Sequence, residues 1–162
     1  MSELNKDNTI LFWGTGGKYG FLSNFYPAEI EYQGFKFTSS EHLFMWLKAK
    51  YFKDDASSLQ IVGAKTPKTA KALGRQVRNF NQEQWDEYKV LAMTTAVFFK
   101  FKEQPLREML LETEKKVLVE ASPRDCVWGI GLGSEDPDAY DPDKWKGQNL
   151  LGLCLETVRH QL

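Results

Sequence analysis

One segment limits the fold of this chain more than any other, because it predicts a mostly apolar helix with two charged side chains on one face. Thr38 followed three residues later by Glu41 has the form of a capping box, which predicts a helix from about Ser39 to Phe52. At about 100° per residue, Glu41 and Lys48 fall within about 20° of each other around the helix axis. They are separated by about 10 Å along that axis, so they flank a ligand more readily than they form a salt bridge.

Two interpretations of this helix face stay open on the pattern alone. The apolar neighbours Phe44, Met45 and Phe52 would strip water from the Lys48 ammonium group and lower its pKa, which makes a lysine nucleophilic. Alternatively, Glu41 only caps the helix, and Lys48 reaches water at the helix edge with its stem on Phe44.

Length and composition exclude several classes of protein. The 162 residues fit one domain that can hold a core and a cleft. With 21 Lys and Arg against 22 Asp and Glu, the net charge of −1 argues against a protein that coats nucleic acid or an anionic membrane. Two cysteines without a CxxC pattern and two histidines supply too few zinc ligands, so we expect no metal and no cofactor. No apolar run is long enough for a membrane span and no leader is recognisable, so we expect a soluble, cytoplasmic protein.

The remaining periodicities predict an α+β fold, a single mostly helical domain with a small antiparallel or mixed sheet. Strands are predicted at 10–13, 29–32, 35–38 and 117–119, with a tight turn at Gln33-Gly34. Further helices are predicted at 56–62, 67–73, from Asn81 through Phe98, at 105–112 and at 150–162, with Thr66 and Asn81 as caps and Gly74 as a helix end. Residues 1–9 are predicted to be a flexible N-terminus, 10–162 the domain, and 134–146 a surface loop.

Polar residues at two places could hold a sugar or a base. Asn24 lies in an otherwise apolar stretch and offers a donor and an acceptor to a base edge or a ribose, although an ordinary turn asparagine fits equally well. Asp125 and Trp128 lie one turn apart, and a carboxylate beside an indole face suits a sugar or base. The alternative is that Asp125 caps a turn and Trp128 packs in the core.

Groups suited to phosphate lie in three other segments. Arg75 and Arg78 could each form paired hydrogen bonds with phosphate, although a basic stretch of this kind is usually a solvated face. The predicted helix after Asn149 offers N–H groups to an anion, although Asn149 can equally be structural. The glycine-rich turn at 14–20 misses the Rossmann and Walker spacings, so we interpret it as a surface turn that forms at most a weak anion nest.

Taken together, these motifs resemble the YbiA-like NADAR superfamily of N-glycosidases, over about residues 10–159. The residues that carry the resemblance are Asn24-Phe25, Ser40-Glu41-His42 with Lys48, Gly74-Arg75, Asp125-x-x-Trp128-Gly129 and Gly147-x-Asn149-x-x-Gly152. The chain departs from the pattern of the riboflavin-linked members at Met45-Trp46-Leu47, which is apolar where a polar stretch with Gln is expected. That difference alters a pocket wall and leaves Lys48 in place.

The resemblance implies hydrolysis of the N-glycosidic bond between a ribose and a nitrogen base. It implies that Lys48 attacks the anomeric carbon and forms an imine, with Glu41 and Asp125 as the acid and base in either assignment. It implies substrate contacts for Asn24, Phe25, Phe44, Arg75, Trp128, Gly129 and Asn149.

The expected partner is a small phosphorylated ribosyl compound, an early phosphoribosylamino-pyrimidine intermediate of riboflavin synthesis. The alternatives are ADP-ribosylated guanine in nucleic acid, and a module that binds ADP-ribose or a nucleotide without turnover.

Overall fold

The computed structural model describes residues 2–162, and within them it confirms the α+β class. The strands are β1 (Thr9–Phe12), β2 (Ile30–Tyr32), β3 (Phe35–Phe37) and β4 (Val117–Glu120). The helices are α1 (Ser40–Tyr51), α2 (Asp55–Val62), α3 (Pro67–Gly74), α4 (Gln82–Phe101), α5 (Leu106–Leu111) and α6 (Leu150–Gln161). None of the helices in this range has the length and apolar character needed to cross a bilayer. The chain divides into two compact units, one made of residues 24–103 and the other of the segments on either side.

The unit of residues 24–103 is built around α1. This helix packs against α2, α3 and α4, and every residue from Ser40 to Leu47 is buried. A helix covered on most sides needs apolar residues all round, which explains why its sequence is apolar beyond a single stripe.

The start of α1 differs by one residue from the sequence prediction. The N-cap is Ser39, whose side chain accepts a hydrogen bond from the His42 N–H at 3.1 Å. His42 in turn accepts, at Nδ1, the N–H of Thr38 at 3.2 Å. The predicted capping box of Thr38 and Glu41 is therefore wrong, because Ser39 makes the cap and the His42 side chain bonds back to Thr38, the residue before the cap.

Other local predictions in this unit are confirmed. The antiparallel β2 and β3 are joined by Gln33 and Gly34, with φ of 49° and 81°, as a tight hairpin turn requires. Thr66 and Asn81 cap α3 and α4 through their side chains. Gly74, however, is the last residue of α3 instead of the residue beyond it.

Packing accounts for this glycine. A Cβ on Gly74 would lie 2.0 Å from Met45 Sδ, so the glycine lets α3 approach α1 closely. Gly74 is therefore found at the predicted end of the helix, and close packing of the two helices is what requires a glycine there.

The other unit contains a parallel pair of strands. β1 and β4 pair with Ile10 opposite Leu118, and α6 packs on β4. Within residues 2–162 the strands therefore form two separate two-stranded sheets, one parallel and one antiparallel, and not the single small sheet predicted.

The acidic segment predicted as a surface loop is partly built into the core of this unit. Residues 134–146 contain two short 3-10 turns, at Pro137–Tyr140 and Pro142–Lys144. Ala139 is fully buried in a cluster with Val119 and Ile130, and the Trp145 indole N–H donates to the Ala139 carbonyl at 2.9 Å. The prediction of a surface segment holds for exposed acidic residues such as Glu135 and Asp143, and it is wrong for Ala139, which is part of the core.

Candidate active site

Lys48 lies in the last turn of α1 with its ammonium group against aromatic rings. Its Nζ lies 4.8 Å from the ring centre of Phe80 and 5.6 Å from that of Trp85. Lys48 is partly buried, and loss of hydration lowers its pKa. The Glu41 carboxylate opposes this by raising the pKa, and the Arg75 guanidinium adds to it by lowering the pKa. The geometry thus favours a larger fraction of neutral amine than a solvated lysine has.

The aromatic wall beside Lys48 comes from two helices and the loop before α4. Trp85 is in contact with Phe44 at 5.4 Å and with Phe52 at 6.2 Å between ring centres. Phe52 also packs on Phe80 at 5.3 Å. The sequence placed Phe44 and Phe52 beside Lys48 but missed Phe80 and Trp85. A signal was present, since an apolar residue before the N-cap and another at the fourth helical position form a hydrophobic staple.

Glu41 lies buried in the first turn of α1, next to Asn24. Its backbone N–H donates to the Asn24 carbonyl at 3.1 Å. A carboxylate in the first turn of a helix is stabilised by the helix dipole. The sequence thus correctly placed Glu41 on the same helix as Lys48.

The side chain of Asn24 is used within the protein. Its Oδ1 accepts from Ser40 Oγ at 2.8 Å, and its Nδ2 donates to Met93 Sδ at 3.2 Å. These contacts tie the entry of α1 to α4. They favour the structural interpretation of Asn24, and its contact with a base or ribose stays a prediction.

His42, the third member of the Ser40-Glu41-His42 motif, is also structural. Its ring is buried, with Nδ1 accepting from Thr38 and Nε2 facing the Ile61 carbonyl. A proton on Nε2 satisfies both contacts, and burial lowers the His42 pKa, which maintains the neutral ring.

Two basic residues lie at the end of α3, which packs against α1. Lys71 Nζ is 5.8 Å from the ring centre of Phe25, and Arg75 follows one turn later on an exposed face. Arg78 does not belong to this group, because its guanidinium and backbone N–H both donate to Asp54, at 3.2 and 2.8 Å. The predicted phosphate contact of Arg78 is therefore not supported, whereas Arg75 remains available.

In the other unit, the Asp125 side chain caps a turn, which is the structural role that the sequence left open beside a role in ligand binding. Its Oδ1 accepts the N–H groups of Val127 at 2.9 Å and Trp128 at 2.8 Å. Both side-chain hydrogen bonds of Asp125 in the described chain end on Oδ1, which leaves Oδ2 for another partner. The side chain of Trp128 is partly buried.

Asn149 connects this turn to β4. Its Oδ1 accepts the Glu120 N–H, and its Nδ2 donates to the Leu118 carbonyl, each at 2.9 Å. The N–H groups of residues 148–151 donate to the carbonyls of residues 126–129. The start of α6 is therefore closed by the chain itself, and the prediction of N–H groups free for an anion is wrong.

The glycines of the same motif fit tight backbone contacts. A Cβ on Gly129 would lie 2.9 Å from the Glu120 carbonyl oxygen, and one on Gly152 would lie 2.0 Å from that of Leu118. Gly129 therefore serves packing within the chain, and its predicted approach to a ligand has no support in these contacts.

A model of the NADAR domain family matches residues 11–162. This chain belongs to the NADAR domain family. The resemblance seen in the sequence motifs is thereby confirmed.

Named relatives of this NADAR domain include two N-glycosidases. The N-glycosidase R617 of Acanthamoeba polyphaga mimivirus is 39% identical over 127 residues, which are 78% of this chain and 75% of the viral protein. The N-glycosidase YbiA of Escherichia coli K12 is 32% identical over 163 residues, covering 100% of this chain and 93% of YbiA. The NMR structure of Escherichia coli YbiA matches with a TM-score of 0.77 and 31% identity, over 98% of this chain and 87% of that one. The enzyme class predicted from the sequence agrees with the names of these relatives.

The predicted site residues of this NADAR domain thus fall into two groups. Those of residues 24–103 lie on α1, in the segment before β2, or directly after α3: Asn24, Phe25, Glu41, Phe44 and Arg75. Those of the other unit form the hydrogen-bonded turn beside β4: Asp125, Trp128, Gly129 and Asn149. Among residues 2–162, no group of three His, Cys, Asp or Glu side chains is arranged to hold a metal ion.

Proposed function

We propose that this NADAR domain is an N-glycosidase in which the Lys48 amine attacks the anomeric carbon of a ribosyl substrate. The observation that carries the proposal is the position of Nζ against Phe80 and Trp85, where burial lowers the Lys48 pKa. A neutral amine has the lone pair that attack requires, and an ammonium group does not. The names of the relatives support the reaction class.

The reaction then proceeds in two stages. Attack forms a bond between Nζ and C1′ while the bond from C1′ to the base nitrogen breaks, and the base leaves with a proton. The sugar ring opens to an imine of Lys48, and water adds to the imine carbon. Collapse of this adduct releases the sugar as its aldehyde and returns the free amine, so the net reaction consumes one water.

Glu41 is the residue that we assign to proton transfer around the ring oxygen and the imine. It is buried and acts electrostatically on Lys48, and it lies two helical turns earlier on α1. A separation of about 10 Å along the axis leaves room for a ribose between the two groups. For Asp125 we keep the assignment implied by the resemblance, in which its carboxylate holds ribose hydroxyls or activates water.

The substrate class that we propose is a ribosyl 5-phosphate joined to a pyrimidine amine, as in the early intermediates of riboflavin synthesis. Arg75 is exposed directly after α3 and one turn beyond Lys71, so the end of α3 presents two cations. A guanidinium forms paired hydrogen bonds with phosphate, and an ammonium adds a point charge. ADP-ribosylated guanine is the second substrate to test.

Borohydride trapping tests this proposal. Incubation with a phosphoribosylamino-pyrimidine and borohydride is expected to reduce the imine to a stable adduct on the peptide that contains Lys48. Lys48→Arg is expected to lower kcat/KM by about 10³-fold or more, because an always-protonated guanidinium cannot form the imine. Lys50→Arg is the matched control, since Lys50 is on the same helix, is exposed and pairs with Asp55 at 3.0 Å.

Two outcomes would contradict the proposal. Normal turnover by Lys48→Arg would exclude the imine. Tight binding of both substrates with neither base release nor an adduct would instead identify a binding module.

A further inference from the structure

We propose that Phe80 determines the specificity of this site by stacking on the base that leaves the sugar. The inference rests on the proposed attack by Lys48 and adds the surface that receives the base. It identifies the favoured substrates as those whose leaving group is a flat aromatic ring, in preference to an alkyl or saturated amine.

The position of the nucleophile restricts where the base can lie. In an attack geometry Nζ and C1′ are about 3–3.5 Å apart. The base nitrogen is one C–N bond, about 1.45 Å, beyond C1′. The first atom of the base is therefore within about 5 Å of Nζ. The centre of the Phe80 ring is 4.8 Å from Nζ, so a base that extends toward this side of the site reaches the ring.

Of the two rings next to Nζ, Phe80 is the one that is exposed enough to contact a ligand. The Trp85 side chain is only 8% exposed, whereas Phe80 is 43% exposed. Exposure of this size leaves part of the Phe80 ring open to a ligand, and Trp85 serves as the wall behind Nζ.

The Phe80 ring is held in place from the protein side. Phe52, which is buried, packs on it with ring centres 5.3 Å apart and an angle of 57°. A supported, open aromatic ring is a preorganised stacking surface, and stacking on a base contributes about 1–3 kcal/mol in nucleic-acid complexes. The hydrophobic staple with α4 explains an apolar residue at this position, but a leucine would satisfy the staple equally well.

The same ring has a second partner before the reaction. In the free protein it lies close to the ammonium group of Lys48, a cation–π contact that favours the charged form. In the proposed complex the base takes the place of the ammonium group against this ring. Loss of the ring changes the surroundings of Lys48 as well as the surface for the base, so trapping of a sugar without a base is the measurement that reports on the amine alone.

The experiment compares Phe80→Leu, which retains the staple, with Phe80→Tyr, which retains the ring. Each is tested by trapping ribose 5-phosphate on Lys48 with borohydride, since this sugar carries no base. Each is also assayed for kcat and KM on a phosphoribosylamino-pyrimidine and on ADP-ribosylated guanosine. Leu91→Ala controls for removal of exposed apolar surface, because Leu91 is 62% exposed on α4.

The expected result is an increase in KM of about tenfold for Phe80→Leu on the substrate that the wild type turns over, with unchanged trapping of ribose 5-phosphate. Phe80→Tyr is expected to behave like the wild type. An unchanged KM in Phe80→Leu, with trapping intact, would overturn the role of Phe80 and leave the role of Lys48 standing. Failure of the wild type to trap ribose 5-phosphate would overturn both.

A measurement on the wild type keeps the inference testable if Phe80→Leu does not fold. The free pyrimidine base is expected to inhibit about tenfold more strongly than its 5,6-dihydro analogue, because saturation removes the flat π face. Equal inhibition by the two compounds would contradict stacking.

Discussion

Lys48 and Asn149 are polar side chains in equally distinctive stretches of sequence, yet their surroundings differ. The ammonium group of Lys48 lies against the rings of Phe80 and Trp85, and its pKa is lowered by burial. The amide of Asn149 is buried and hydrogen-bonded to the backbone on both sides of β4 residue Val119. The first arrangement holds a charged group where its charge is poorly solvated. The second pairs two buried backbone groups that would otherwise have no hydrogen-bond partner.

This contrast separates two reasons why a motif can be distinctive. A buried polar group with backbone partners stabilises the fold, because leaving those partners unpaired is costly. A basic group that is partly desolvated has a perturbed pKa, which is typical of functional sites. This comparison predicts that the reacting groups lie around α1 and the end of α3, and that residues 125–152 mainly build the fold.

The largest effect that tests this comparison is on stability. Asn149→Ala is expected to lower the free energy of unfolding by about 3 kcal/mol, because it leaves a buried N–H of Glu120 and a carbonyl of Leu118 without partners. Denaturant unfolding measures the loss, and kcat of the folded fraction is expected to be unchanged. Gln148→Ala, at the exposed neighbouring position, is the control. Wild-type stability combined with weaker substrate binding would show that Asn149 serves a ligand.

The next effect is on catalysis at the other region. Glu41→Gln is expected to lower kcat by about 10²-fold, since it removes a proton-transfer group. The Glu41 charge raises the pKa of Lys48, so its removal lowers that pKa and moves the acid limb of the kcat/KM profile to lower pH. Glu87→Gln, on an exposed face of α4, controls for loss of one negative charge. A shift of the limb to higher pH would mean that Glu41 does not act on Lys48.

Features with partners close in sequence could be predicted. The side chains of Thr66 and Asn81 each accept a hydrogen bond from the backbone N–H three residues later in the chain. The Gln33-Gly34 turn depends only on the backbone angles of its own residues. The cap of α1 is the exception among these local features. Thr38 and Ser39 are both good cap residues, and only the packing of the helix selects Ser39. Glu41 and Lys48 could be paired in advance because one helix carries both.

Features that depend on distant partners could not be predicted. The hydrogen-bond partners of Asn149 lie 29 and 31 residues earlier in the chain, and no local pattern distinguishes them from a ligand. The rings of Phe80 and Trp85 reach Lys48 only because α4 packs against α1. Periodicity shows that a residue is buried on a helix face, but not which other helix covers it.

Asp125 is the residue of segment 125–152 with a carboxylate oxygen to offer a substrate, because the turn uses Oδ1 and not Oδ2. Asp125→Asn retains an oxygen for the N–H groups of Val127 and Trp128, so the free energy of unfolding is expected to change by less than about 1 kcal/mol. Loss of the carboxylate is expected to lower kcat/KM by about tenfold. Asp125→Ala should add a loss of stability from the turn. Wild-type kcat/KM in Asp125→Asn would mean that the whole segment of residues 125–152 is structural.

The smallest effect concerns Arg75, whose charge lowers the pKa of Lys48. Without that charge the Lys48 pKa rises, so Arg75→Gln is expected to move the acid limb of kcat/KM to higher pH, by less than about one unit because Arg75 is exposed and screened. Arg75→Lys retains the charge and should retain the limb. Lys68→Gln, at an exposed position of α3, controls for loss of a cation.

The two roles proposed for Arg75 separate in this experiment. A contact with the substrate phosphate predicts a higher KM in both variants, since a lysine cannot reproduce the paired hydrogen bonds of a guanidinium. An effect on Lys48 alone predicts a shifted limb in Arg75→Gln and an unchanged KM in Arg75→Lys. If neither the acid limb of kcat/KM nor KM changes, Arg75 is part of a solvated face. The residues proposed to act in the reaction would then be those of α1 and the rings that cover Lys48.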